Sequence, residues 1–201
     1  MKKDLVKWLG YLIFFAILIT SCAAGTEISQ TSVDDAYKGK PVSNILVIAI
    51  TGNEHNRRTY EKKFVARLKS MGVDAFASEE AVPMPPDLQL KKEVILNAVA
   101  QYENDAVIIT QLIGKEKEDV YTRGGVARMG FFSYTRDPGF SSTNTTVRLE
   151  TNLYDAKTGK LIWSGQSKTM SKDSTDHIMN DEIKAVINNW QKNKIIAPHR
   201  N

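Results

Sequence analysis

The chain has 201 residues, of which 25% are charged and 42% hydrophobic, with a net charge of +4. That length and balance suit one globular domain with a sizeable core and exclude a disordered chain. Lys2, Lys3 and Lys7 against Asp4 supply half of the excess, leaving about +2 on the remainder, which is too little for the concentrated basic face that nucleic acid requires. The single cysteine, Cys22, excludes an internal disulfide and any zinc site built on cysteine pairs.

Met1–Lys7 is basic, and Trp8–Ile19 is an uncharged apolar run. The run falls short of the roughly 20 residues that span a bilayer and has the length of a signal-peptide core. Small residues follow at Ser21, Ala23 and Ala24, as a processing site requires. Residues 1–21 are therefore expected to be a signal peptide. Ala23–Val42 is rich in Thr, Ser, Gly, Asp and Gln, with no hydrophobic period, so 22–42 reads as a flexible tether. Tyr37 and Val42 are the residues in it expected to dock on the domain.

A single domain is expected over 43–197. Asn44–Ile50 is continuously apolar and β-branched, the pattern of a strand covered on both faces. Arg57–Met71 places Tyr60, Phe64, Leu68 and Met71 on one helical stripe, with Gly72 suited to end it. Val73–Ala77 is a second strand, parallel to the first through a right-handed crossover. Pro83, Pro85 and Pro86 make a rigid connection to a second amphipathic helix over Leu90–Tyr102. Asp105–Ile113 is again an almost wholly apolar strand. The segment 114–142, with Gly124, Gly125, Gly130 and Gly139, reads as an inserted segment, either a mobile hairpin or a functional loop. Thr143–Tyr154 alternates as a half-exposed antiparallel strand does, Asp155–Gly159 has turn chemistry, and Lys160–Thr169 is the partner strand. Asp173–Ile195 is a last helix, with Ile183, Val186, Ile187 and Trp190 on its buried stripe. The expected fold class is α/β (α+β) with a mixed sheet: β-α-β-α-β, then an antiparallel β-hairpin and a C-terminal helix.

Ile19-Thr20-Ser21-Cys22 resembles the lipobox of bacterial lipoproteins, with isoleucine where leucine is commoner. The resemblance implies cleavage before Cys22 and fatty acylation, palmitate-like, at that thiol. Two or more chains anchor stably, because each buried methylene adds about 0.8 kcal/mol and one chain alone is marginal. Ala23 rather than aspartate after the cysteine implies the periplasmic face of the outer membrane.

Two candidate contact sites follow from residue types. Gly52–Arg58 joins the end of a buried strand to a helix start, where free N–H groups and cations can hold an anion. Asn53, Arg57 and Arg58 are the candidate ligands there. Arg57 or Arg58 paired with Glu61 one turn on is the competing account. The second site is the aromatic, arginine-bearing stretch with Tyr121, Arg123, Phe131, Phe132 and Tyr134, residue types enriched where proteins meet. Trp163 is expected as a cross-strand packing residue. His55, His177 and His199 are scattered, with no metal-binding spacing, no Gly-x-Ser-x-Gly elbow exists, and no acid pair stands isolated in an apolar run. No catalytic residue, metal or cofactor is expected.

The strand Ile45–Ile50, the Arg58-x-x-Glu61 helix start, the strand Ala106–Ile113 and the hairpin Leu153–Gly165 together resemble a group of bacterial envelope lipoprotein domains. The α/β domain of the group is similar to the periplasmic domain of the curli secretion channel protein, to the amino-terminal domain of the Tol translocation protein, and to lipoprotein activators of penicillin-binding proteins. The resemblance implies a non-catalytic assembly or accessory module, membrane-bound through its lipid, that contacts envelope proteins or its own copies. A periplasmic binding protein for a small anion at Gly52–Arg58 is the alternative. Transmembrane hairpins like those of the channel protein are not expected, because 114–142 lacks a clean apolar alternation.

Overall fold

The computed structural model describes residues 26–34, 37, 41–88, 90–122, 126–128, 134–136, 140–171 and 174–197. The expected signal peptide, Cys22, Arg123, Phe131 and Phe132 lie outside the described residues.

The fold is α/β with one mixed six-stranded sheet in the order β1-β8-β7-β4-β2-β3. The strands are β1 (Glu27–Val33), β2 (Asn44–Ile50), β3 (Asp74–Ala77), β4 (Ala106–Thr122), β7 (Phe140–Asp155) and β8 (Leu161–Ser171); a separate pair is formed by β5 (Val126–Arg128) and β6 (Tyr134–Arg136). The helices are α1 (Glu54–Lys69), α2 (Lys92–Tyr102) and α3 (Thr175–Lys192). β2 is parallel to both β3 and β4, whereas β7, β8 and β1 continue the sheet antiparallel.

β2 divides the core. Ile45, Val47 and Ala49 join Phe64 and Leu68 of α1 and Ile183, Val186, Ile187 and Trp190 of α3 on one face. Leu46 and Ile48 point to the other face, against Ala98 and the half-buried Val94, Ile95 and Val99 of α2. Burial on both faces is why this segment reads as an unbroken apolar run rather than an alternating one. α2 covers only the β3-β2-β4 half. Over β7 and β8 the outward row of Arg148, Glu150, Asn152, Gln166 and Lys168 stays half-exposed.

The helices end as their sequences direct. Asn53 is the N-cap of α1, its Oδ1 accepting the Asn56 N–H at 2.9 Å, and Gly72 adopts φ +78 beyond its end. Asp155 organises the β7–β8 turn by accepting at one oxygen from the N–H groups of Lys157 and Thr158 and from the Thr158 hydroxyl. Gly159 closes the turn at φ +66.

Trp163 is fully buried and packs edge-on against Trp190, with centroids 5.7 Å apart and planes at 86°. Its Nε1 donates to Asn189 Oδ1 at 3.0 Å, which fixes the ring across the sheet. The space beside it exists because residue 165 is glycine, where an added Cβ would lie 2.6 Å from Trp163 Cζ2. Gly165→Ala is therefore expected to displace the indole and cost about 1–3 kcal/mol, as overpacking does. A chemical-denaturation midpoint equal to that of the parent would refute this.

Two expectations need correction. Residues 27–33, read as tether, form β1, paired antiparallel to β8. A register shift between Ile28 and Gln30 leaves Ser29 as a bulge. The bulge turns Ile28 and Val33, five positions apart, to the same face, where both pack on the core. Val42 is buried and bridges to Ile196, and Tyr37 also packs on this cluster. The second correction concerns 114–142. β4 does not stop near Ile113, and β7 begins at Phe140 rather than Thr143. The two pair continuously out to Thr122↔Phe140, apart from one register shift between Leu112 and Gly114. Tyr121 falls in β4 and Tyr134 in β6. Residues 114–122 and 140–142 are thus paired strands of a β-hairpin arm, and Val126–Arg128 pairs with Tyr134–Arg136 as a small second ribbon.

Candidate functional site

The Gly52–Arg58 turn does not gather its cations. Arg57, 1% exposed, points inward. Its Nε donates to Glu61 Oε1 at 3.1 Å, and its Nη2 donates to Ser78 Oγ at 2.9 Å and the Val82 carbonyl at 2.6 Å. Arg58 points outward and pairs with Glu54 at 3.1 Å and Glu79 at 3.6 Å. Asn53 spends its side chain on the helix cap. These three residues are placed as cap, buried pair and surface pair, the competing account of the motif, and not around a common ligand position.

Glu61 is the hub of this buried cluster. Its Oε1 accepts from Arg57, from the Ser78 hydroxyl at 2.8 Å and from the Ala49 N–H at 2.9 Å. β3 ends its pairing with β2 at Val47↔Ala77, so the carboxylate takes over the ladder one step further on. Burial pushes the Glu61 carboxyl up, against the pull of the Ala49 N–H, Ser78 and Arg57. Glu61 Oε2 is buried without a hydrogen-bond partner.

A cavity of about 110 Å³ opens nearby, at the carboxyl end of β2 and the middle of β4, between the first turns of α1 and α3. Ile50, Leu112, Val147, Leu149, Ile178 and Met179 form its apolar walls, and Lys115 stands in its lining with them. Tyr60 and Thr110 also line it. Behind them the Tyr60 hydroxyl donates to Glu182 Oε2 at 2.6 Å, and the Thr151 hydroxyl donates to Glu182 Oε1 at 3.2 Å. Thr110 Oγ1 lies 3.2 Å from the Tyr60 hydroxyl and 3.1 Å from Thr151 Oγ1. Glu182 is fully buried, and no cation pairs with it among the described residues. Burial raises its carboxyl to about 7, resisted by the Tyr60 and Thr151 hydroxyls. From sequence Glu61 is expected only as an ion-pair partner, and Glu182 is not singled out. The signal was present: Glu182 lies four residues from both Ile178 and Val186 on the apolar stripe of α3, and Glu61 sits between Tyr60 and Phe64 on that of α1.

The hairpin arm is the other feature without an internal role. β4 and β2 last pair at Gln111↔Ile50, and β7 and β8 last pair at Thr145↔Ser171. Beyond those points β4 and β7 pair with no other strand among the described residues. The arm's near part carries Glu116, Lys117, Glu118 and Asp119 opposite a run of Thr and Asn, with Glu116 paired to Arg148. Such a strand has no apolar face to bury. Among the described residues no group of three or more His, Cys, Asp or Glu side chains is placed to hold a metal ion. No helix among them is long and apolar enough to cross a membrane.

No family model matches the chain, and no curated protein matches it. Among solved structures it is similar to the PelC dodecamer from Paraburkholderia phytofirmans, at 12% identity and a TM-score of 0.49, over 83% of this chain and 97% of that one. It is also similar to lipoprotein GNA1162 from Neisseria meningitidis, at 18% identity and a TM-score of 0.41, over 75% of this chain and 99% of that one.

Proposed function

We propose that the chain is a non-catalytic accessory protein of the bacterial envelope. It is held by an acylated Cys22 at the periplasmic face of the outer membrane and engages protein partners, its own copies included, through the β4–β7 arm. The anchor rests on the Ile19–Cys22 motif behind a basic, apolar leader. The contact rests on one observation, the continuation of β4–β7 pairing past the last partner on either side. A two-stranded ribbon whose outer edges have no strand partner among the described residues offers backbone donors and acceptors to another chain. Confinement to one membrane surface raises the local concentration of any partner there without a new contact.

The test is crosslinking in intact cells with the full chain and with a version lacking residues 121–140. Those residues lie beyond the last β7–β8 pair, so the sheet body retains its strands. Protein neighbours recovered with the full chain are expected to be lost with the shortened one. Equal recovery from both would remove the arm from the proposal, and recovery of lipid alone would remove the accessory role. Mass analysis of the mature amino terminus tests the anchor separately.

A further inference from the structure

The cavity beside Lys115 plays no part in the arm contact, and its chemistry is that of a chain-binding pocket. Most of its wall surface is apolar, with Thr51, Asn56, Gln111, Lys115 and Thr175 also in the lining. The polar atoms at Tyr60 and Thr110 already hydrogen-bond to each other and to the buried network behind them, so they make no demand on a polar guest. A volume of about 110 Å³ suits the end of an aliphatic chain.

The sheet register says what can reach it. Thr26, the first described residue, has its Oγ1 2.6 Å from Thr169 Oγ1. Thr169 pairs with Val147, and Val147 pairs with Lys115. Thr26, Thr169, Val147 and Lys115 are therefore one row across four adjacent strands, and the last two line the cavity. At about 4.8 Å per strand, Thr26 lies roughly 10 Å from Val147 and 14 Å from Lys115. β1 runs antiparallel to β4, so Thr26, just before the start of β1, stands at the end of the sheet where the cavity opens. Cys22 is four residues upstream, and four extended residues span up to about 14 Å.

We propose that this cavity receives the end of an acyl chain carried on Cys22 of the same molecule. The inference rests on the lipoprotein reading of Cys22 and adds to it a seat for the lipid within the domain. With the chain end in the cavity, the domain is held close to its own anchor instead of swinging on it. The cavity mouth, with the half-exposed Leu112 and Ile113 beside it, then faces the membrane.

The test replaces Leu112, 46% exposed, with the photo-crosslinker p-benzoylphenylalanine in the full chain and irradiates intact cells. Leu96, 45% exposed on α2 across the sheet, takes the same replacement as the control. The expected product is a crosslink within one chain between residue 112 and an acyl group of the Cys22 peptide, several-fold more abundant than from residue 96. If the same digests show Cys22 acylated while residue 112 crosslinks to free phospholipid, to another polypeptide, or to nothing above the control, the inference is overturned and the anchor stands. If Cys22 carries no acyl chain, the anchor reading falls, and this inference with it.

Discussion

Glu61→Ala is expected to destabilise the protein by about 3–5 kcal/mol, because it leaves a buried guanidinium with only the half-exposed Glu54, 3.8 Å from its Nη1, as counter-charge. Three donors lose their acceptor at once: Arg57 Nε, the Ser78 hydroxyl and the Ala49 N–H. Arg57 cannot escape by losing its proton, since a guanidinium stays charged in proteins. Arg57→Met should cost less, because the abandoned Glu61 carboxyl can protonate, a change its burial already favours. Arg57→Lys should not rescue the pair, since one ammonium cannot reproduce the fork that reaches Glu61, Ser78 and the Val82 carbonyl. The double variant Arg57→Met/Glu61→Leu is expected to be clearly less destabilised than the sum of the singles. Urea melts with unchanged slope give these numbers directly. Additive effects in that cycle would mean the two side chains act independently, against the geometry.

This cluster also explains what the sequence hid. An Arg and a Glu four apart on a helix read as a solvent-facing pair, and the local pattern has no feature that says otherwise. They are buried because Ser78 and Val82, some twenty residues on, close over them after β3. Burial was therefore set by a tertiary contact. The elements that were legible were those whose patterning is local and strong: the apolar run of β2, the stripes of α1 and α3, and the Asp155–Gly159 turn. β1 was not, because its bulge at Ser29 breaks the two-residue period on which strand reading depends. The outer part of β4 was not, because a ribbon exposed on both faces has no reason to alternate apolar with polar. Its β-branched partner run Thr143, Thr145, Thr146 and Val147 was the available clue. Neither wall of the cavity was legible as a site. It joins residues of β2, β4, β7, α1 and α3 that only the sheet order brings together.

Glu182→Gln is expected to stabilise the protein at pH 8 by up to about 3 kcal/mol and to change little near pH 4. The Glu182 carboxyl stands near 7 in the folded protein against 4.5 when solvated, a difference worth roughly 3 kcal/mol. Below 4.5 the carboxyl holds its proton in both states, and the native state keeps its full stability from this group. Between 4.5 and about 7 only the folded protein holds the proton, so stability falls as pH rises through this window. Above it the carboxylate is ionised in both states, and the loss is complete. The groups facing it are Tyr60 from α1, Thr110 from β4 and Thr151 from β7, all hydroxyls, so nothing cationic offsets the buried charge among the described residues. Glutamine keeps the shape and carries no charge. Its carbonyl can accept from Thr151, and its amide can donate to the Tyr60 oxygen. Glu61 is pushed in the same direction, so some slope of the same sign should survive in Glu182→Gln. Tyr60→Phe removes a hydroxyl that stabilises the carboxylate, and should steepen the fall between pH 5 and 8. Thermal melts of the three proteins across that range decide the matter. A Glu182→Gln variant less stable than its parent at pH 8 would show that the ionised carboxylate is held favourably, and that the hydroxyl network was built around the charge.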